Sequence, residues 1–229
     1  MLTLGIDTSS PTSGIAVVSD QAILGTVSTT VVETYSSRFF RHLEFLLSEL
    51  ELRLADFALF VVVSGPGSFT GLRVGIATAK ALAEAHGKPV VGISALEALA
   101  SEGMIQGRFV APVLNARREQ VFAAVYEAEG EDMREVMGES VMEPGEFVRE
   151  ARERAGGVPL TFITPSPELI AGEISGLNDV MMLTTSAMLA PAAAKLGERR
   201  ALRGLATSAL ELDANYVRRS DAELLWKAP

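Results

Sequence analysis

The chain has 229 residues, 48% of them hydrophobic, no cysteine, and a formal net charge of −9 from 20 basic and 29 acidic side chains. This length holds one large domain or two small ones with a real core, and the lack of cysteine excludes disulfides, zinc–thiolate sites and thiol nucleophiles. The acidic balance argues against holding nucleic acid through phosphates, which takes a basic surface.

The opening MLTLGIDTSS has no basic region of the signal-peptide kind, and no apolar run reaches the ~18 residues of a membrane span, so a cytoplasmic protein is expected. Residues 2–7 and 14–19 read as strands joined by the turn chemistry of TSSPTSG, an antiparallel hairpin to which QAILGTVSTTVVE adds a third strand. Ser36 or Ser37 is expected to cap a helix running to about Leu50. Phe39, Leu43, Leu46 and Leu50 form its apolar stripe, with Phe40 and Leu47 widening it. LFVVVSG opens as a continuous apolar run, is bounded by a glycine turn and reads as a strand buried on both faces. GPGSFTG then turns into a helix capped by Ser68 or Thr70 and stopped at Gly87. Gly71, Gly75, Ala79 and Ala83 line one side of that helix. A glycine inside a helix costs about 1 kcal/mol relative to alanine, so Gly75 implies a close contact, with the chain's own sheet or with another subunit.

PVVGIS reads as a further strand, and Ser94 to Glu97 as a capping box opening a helix that ends near Gly103. In the second half, FVAPVLNARREQVFAAVYEAEG gives two strands around a turn from Asn115 to Gln120, and REVMGESVM another. PGEFVREARERAGG is a helix with Pro144 at its start and glycines at its end. LTFIT, a short helix from Pro167, DVMML and a longer helix from Ser186 to Gly204 follow. Glu127 to Glu153 carries ten acids against three arginines and reads as solvated surface. Each half opens with antiparallel strands and closes with alternating strands and helices, the layout of a duplicated α/β fold with mixed sheets.

Five segments, LGIDTSS…GIAVVSD, SGPGSFTGLRVGIATAKALA, GISALEALA, VLNARREQVFAAVY and NYVRRSDAELLW, together resemble the TsaB (YeaZ) family, dimerisation subunits of the tRNA threonylcarbamoyladenosine complex. The likeness follows most of the chain in order. GPGSFTGLRVG is its most specific part, and the stretch from about Gly130 to Leu196 agrees only in layout. The resemblance implies an actin-like (ASKHA, ribonuclease H-like) α/β fold of two lobes, placed here at residues 1–103 and 104–229 with the tail packing back. It implies a non-catalytic subunit that supports a TsaD-type transferase, which adds threonylcarbamoyl to N6 of the adenosine next to the anticodon in ANN-decoding tRNAs. A TsaE-type ATPase would be a further partner, a self-dimer through the same face is expected, tRNA would be met only through the complex, and membranes not at all.

The residues bear on that expectation directly. The catalytic paralogue holds a metal through HxxxH, whereas this chain has only His42 and His86, on different predicted helices, and Tyr35 where many relatives carry a histidine. No catalytic residue and no metal ligand is therefore assigned. Asp7, Thr8 and Ser9 stand where the superfamily places its first phosphate loop, so they are the candidate residual nucleotide site. The second loop has no good match, Gly156-Gly157-Val158-Pro159 being a poor substitute. No cofactor is expected for this chain alone, ATP, Mg and a metal belonging to the partner subunits. GPGSFTG lacks the lysine ending of a P-loop and reads first as a tight turn. The candidate partner interface is Phe39, Leu43 and Leu46 on the first long helix with Arg73, Gly75, Ile76 and Lys80 on the second. Arg117-Arg118-Glu119 lies on a hairpin turn, with solvated charge as the default and a salt-bridged or tRNA-adjacent role in the complex as the sharper reading. Two other functions compete: an ATP-using ASKHA transferase or kinase in its own right, and a metallopeptidase, for which HExxH is missing.

Overall fold

The computed structural model describes residues 1–30, 35–104 and 106–218, and in the first helix side chains from Arg38 onward. In chain order the first half forms β1 (Leu2–Asp7), β2 (Thr12–Ser19), β3 (Ala22–Thr30), α1 (Tyr35–Glu49), β4 (Leu59–Gly65), α2 (Phe69–His86), β5 (Val90–Ser94) and α3 (Ala95–Gly103). The second half forms β6 (Phe109–Arg117), β7 (Gln120–Glu129), β8 (Asp132–Met142), α4 (Pro144–Ala155), β9 (Leu160–Thr164), a 3-10 turn at Pro167–Leu169, α5 (Ala171–Ile174), β10 (Val180–Thr184) and α6 (Ala190–Leu202). These elements make two units: Met1–Ala95 with Met188–Asn215, and Leu96–Ala187 with the described part of Tyr216–Pro229.

In the first unit the sheet runs β3-β2-β1-β4-β5. β1, β2 and β3 are antiparallel neighbours, whereas β4 and β5 run parallel to β1. Side chains alternate across the pleat. Leu4, Ile6, Ile15, Val17, Phe60 and Val62 share a core with Phe39, Leu43 and Leu46 of α1 and Leu72, Ile76, Ala79 and Leu82 of α2. The opposite face carries α6. A Cβ on Gly5 would lie 2.6 Å from the Ala190 carbonyl oxygen, and one on Gly197 would overlap Val61. The buried Glu198 carboxylate accepts from the Thr3 hydroxyl at 3.0 Å and from the Gln21 N–H at 2.8 Å, which fastens α6 to β1 and to the β2–β3 turn.

The second unit repeats the design, with order β8-β7-β6-β9-β10. β6, β7 and β8 are antiparallel, and β9 and β10 run parallel to β6. The repeat expected from the sequence is thus present strand for strand. Phe109, Val113, Val121, Val125 and Phe162 pack under Phe147, Val148 and Ala151 of α4, and the rings of Phe147 and Phe162 meet edge to face at 5.8 Å. On the other face a Cβ on Gly103 would come within 2.9 Å of Val110. The 18-residue α2 links the two parallel strands of the first unit, whereas only the 3-10 turn and the four-residue α5 link those of the second.

Three expectations need correction. The boundary does not fall after residue 103. α3 from Leu96 on belongs to the second unit and α6 to the first, because each packs on the sheet that the other half of the chain forms. The last helix begins at Ala190, not Ser186. Pro191 suits the first turn, and the Leu189 N–H just before it is taken up by Asp7. The first helix begins at Tyr35, so Ser36 and Ser37, expected as its cap, stand inside its first turn, and the residues after Arg218 lie outside the described residues. Among the described residues no helix is long and apolar enough to cross a membrane.

At one end of β7 the buried Glu127 carboxylate receives the Arg108 Nε–H at 2.7 Å and also pairs with Arg134, which in turn bonds Glu129 at 2.7 Å. Arg108 first, and Arg134 with it, hold the Glu127 carboxyl below its ordinary value. A depressed carboxyl stabilises the fold above the unfolded pKa, near 4.3, and loses that contribution as pH falls through the folded value. Urea midpoints should therefore drop on acidification from pH 6 to pH 3, and Glu127→Gln should flatten that drop while lowering the midpoint at pH 6.

Candidate functional site

The β1–β2 turn carries the candidate nucleotide residues, and all three are buried. Asp7 accepts the Ser9 N–H at 2.8 Å and the Ser9 hydroxyl at 2.7 Å through one oxygen, and the Leu189 N–H at 3.3 Å through the other. Burial pushes its carboxyl pKa up, and the bonds from Ser9 and Leu189 pull it back down. Thr8 donates to the Gly71 carbonyl at 2.7 Å, and the Ser9 carbonyl accepts the Ser68 N–H at 2.7 Å. The polar atoms expected to face a phosphate are thus engaged with the turn itself, the start of α2 and the residue before α6.

GPGSFTG is what closes over this turn. Ser68 caps α2, accepting the Gly71 N–H at 3.3 Å, and Gly87 ends the helix in the left-handed region at φ 60°. A Cβ on Gly71 would overlap the Thr8 carbonyl oxygen, and one on Gly75 the Thr8 hydroxyl. The close contact foreshadowed by Gly75 is therefore with the chain's own first turn and with Val62 beneath it. That contact also offsets the low helix propensity of glycine.

The interface residues divide. Phe39, Leu43, Leu46, Gly75 and Ile76 are buried in the first unit's own core, so they are corrected from partner contacts to core residues. Their spacing of three and four residues is what the sheet below selects. Arg73 is exposed, with its guanidinium carbon 3.9 Å from the Phe69 ring centre, and Lys80 is half-buried. On these two helices the aromatics that do reach the surface, among the described residues, are Phe40 and Phe45 at 57% exposure and Phe69 at 37%. Phe40 does not widen the buried stripe as expected. It lies about 100° round the helix from Phe39, and its ring meets that of Phe39 edge to face at 5.5 Å. The available signal was the off-stripe position of Phe45. His42 on α1 and His86 on α2 are both half-buried, and the His86 ring lies 6.3 Å from that of Phe60. Among the described residues no group of three His, Asp or Glu is placed to hold a metal ion.

In the second unit the β6–β7 turn holds three successive non-glycine residues in the left-handed region: Arg117, Arg118 and Glu119, at φ 61°, 53° and 59°. All three are exposed. Such backbone costs an L residue roughly 1–2 kcal/mol. Asn115 steadies the turn by accepting the Arg117 N–H at 2.6 Å, and Arg218 donates to the Ala116 carbonyl at 2.6 Å and to the Gln120 side chain.

Comparison with known proteins places this geometry. Residues 15–195 match the family model described as TsaD, tRNA N6-adenosine threonylcarbamoyltransferase. The tRNA threonylcarbamoyladenosine biosynthesis protein TsaB of Bacillus subtilis (strain 168) is 35% identical over 127 residues, 56% of this chain and 56% of that protein, so the match spans little more than half of each. An uncharacterized protein of Mycobacterium tuberculosis (strain ATCC 25618 / H37Rv) is 34% identical over 184 residues, 76% of this chain and 84% of that one. A crystal structure from Pseudomonas aeruginosa, described as an uncharacterized protein with similarity to peptidase YEAZ, superposes with a TM-score of 0.79 at 21% identity, covering 95% of this chain and 99% of that one. That likeness speaks for the fold, and the paired mixed sheets with flanking helices are the actin-like (ASKHA) architecture. On the match over residues 15–195, the chain belongs to the family of the tRNA N6-adenosine threonylcarbamoyltransferases and, within it, to the TsaB (YeaZ) group.

Proposed function

We propose that this chain acts in tRNA threonylcarbamoyladenosine biosynthesis as a non-catalytic subunit, binding and supporting a TsaD-type transferase through the outer faces of α1 and α2. The observation that carries this reading is the exposure of Phe40 and Phe45, 57% each, on a helix whose other side already fills a core stripe. Exposed aromatics on a surface helix are typical interface anchors. Phe69, Arg73 and Lys80 extend the surface onto α2, which shares a core with α1. The engagement of Asp7, Thr8 and Ser9 within the first unit supports the non-catalytic part of the proposal. On this reading the chain needs no cofactor of its own, ATP, Mg and the metal belong to the partners, a TsaE-type ATPase docks on the pair, tRNA is met through the complex, and the protein works in the cytosol. A partner that binds only the competent form of the transferase shifts its population toward that form.

The test is titration of a purified TsaD-type transferase with this chain, followed by light scattering and calorimetry. Phe40→Asp and Phe45→Asp should each weaken the complex about 30-fold or more, the scale of an interface hot spot, while leaving the thermal midpoint within about a degree or two. Unchanged affinity in both variants would remove these helices from the interface. Tight Mg-ATP binding by the isolated chain would instead favour an ATP-using enzyme.

A further inference from the structure

The four sheet edges of this chain are guarded unequally. An open edge strand presents unpaired N–H and C=O groups, and soluble proteins blunt it with charge, proline, short length, bulges or a covering segment. β5 is crossed by the chain after α6, where Val90 and Thr207 exchange backbone hydrogen bonds of 3.0 and 2.9 Å. β8 carries Asp132, Arg134, Glu135 and Glu139 and departs twice from regular register with β7. β10 has only five residues. β3 is long and open by comparison. It runs nine residues without a charge or a proline, and among the described residues no strand pairs with its outer side. Its one irregularity, at Leu24, lies near the β2–β3 turn and leaves residues 25–30 in unbroken register with β2. Ala22, Ile23, Leu24, Thr26 and Thr30 are exposed, Ile23 and Leu24 at 47% each.

We propose that β3 pairs antiparallel with β3 of a second copy of this chain, joining the two first sheets edge to edge. Charge favours a copy as the occupant. From Gln21 to Val32 no side chain is charged, in a chain that is 21% charged and has a net charge of −9. Two copies repel each other through that net charge, and along this edge they meet without setting like charges opposite one another. Symmetry favours it as well, since a strand paired with its own copy about a two-fold need be complementary only to itself. Threonine and valine meet that requirement, because cross-strand pairs of such residues are favourable. Main-chain hydrogen bonds supply the attraction, and Ile23 and Leu24 add apolar surface. The edge is about 30 Å long, small beside a standard interface, so the dimer is weak and reversible. This surface is not the outer face of α1 and α2, and the proposal does not rest on the subunit role.

The experiment is sedimentation equilibrium of the full chain from about 5 to 500 µM, a range suited to a small interface. Wild type should pass reversibly from monomer to dimer. Dimerisation should strengthen from about 0.02 M to about 0.5 M salt, because salt screens the net charge and the edge has no ion pair to lose. Thr26→Lys brings two lysines together across the two-fold and should raise the dissociation constant at least about tenfold. Its thermal midpoint at monomeric concentration should stay within about a degree, because Thr26 is exposed. A nitroxide on Thr26→Cys, in a chain with no cysteine of its own, should lie within about 25 Å of its copy in the dimer. A chain that stays monomeric at the highest concentration overturns the proposal, as does a dimer that Thr26→Lys leaves intact or a longer nitroxide distance. Loss of the dimer in Phe40→Asp but not in Thr26→Lys also overturns it, since the copies then meet through their helices.

Discussion

Gly71→Ala should lower the thermal midpoint by about 6–12 °C, and Gly75→Leu should prevent folding. The added Cβ at position 71 would overlap the Thr8 carbonyl oxygen. That oxygen belongs to backbone anchored by Asp7 on one side and by the Ser68 N–H on the next residue, so it cannot swing aside as the end of a flexible side chain would. Relief requires α2 to lift from the sheet, opening the core around Leu72, Ile76 and Ala79. Ordinary overpacking costs about 1–3 kcal/mol. A clash with fixed backbone belongs at or above the upper end, and about 3 kcal/mol corresponds to the shift stated for a chain of this length. Ala79→Gly, on the same ridge but without a clash, loses both helix propensity and a buried methyl, about 2 kcal/mol together, and serves as the control. Differential scanning calorimetry decides the matter. A Gly71→Ala midpoint within a degree of wild type would show that the helix does not lie as close to the first turn as described.

The second large effect is expected at Asp7. Asp7→Ala leaves the Ser9 N–H, the Ser9 hydroxyl and the Leu189 N–H without their acceptor in a buried place. Each orphaned group costs about 1–3 kcal/mol, and partial rewetting brings the sum to about 2–4 kcal/mol, measurable by urea unfolding. Asp7→Asn should fall between, because its amide keeps an acceptor toward Ser9 but turns a donor toward the Leu189 N–H. Ser9→Ala removes one donor and leaves two, and should be mild. The competing ATP-using function expects the opposite pattern: Asp7→Ala would keep its stability and lose Mg-ATP binding. The pH dependence has its own sign. Because burial raises the Asp7 carboxyl, the folded chain holds that proton more tightly than the unfolded one. This group alone therefore lowers stability as pH rises from the unfolded value, near 3.9, through the folded one, opposite to Glu127.

The strands were legible because their patterns are extreme. LFVVVSG is apolar over Leu59–Val63, as suits a strand flanked on both sides, and it is buried throughout, its one polar side chain, Ser64, donating to the Ile93 carbonyl. The start and stop of α2 were legible because Ser68 and Gly87 are specialised caps. What the sequence hid was the destination of each helix. Periodicity shows that Phe39, Leu43 and Leu46 share a side, but a stripe facing a sheet and a stripe facing a partner have the same period. The small ridge at Gly71 and Gly75 was ambiguous for the same reason, since it permits close approach without saying of what. The exchange of α3 and α6 between units leaves no local mark, because each helix is amphipathic whichever sheet it covers. The three left-handed residues of the β6–β7 turn could not be read either, as neither arginine nor glutamate favours that backbone.

That α6 completes the first unit has a consequence for synthesis. When the ribosome has made the first 95 residues, all five strands of the first sheet exist, but the helix that covers Gly5 and Val61 is still untranslated. At about 5–20 residues per second, the roughly 100 residues in between delay it by about 5–20 s. The whole second sheet emerges during that wait, so the amino-terminal half is begun first and finished last. Its bare apolar face is what a nascent-chain chaperone would meet.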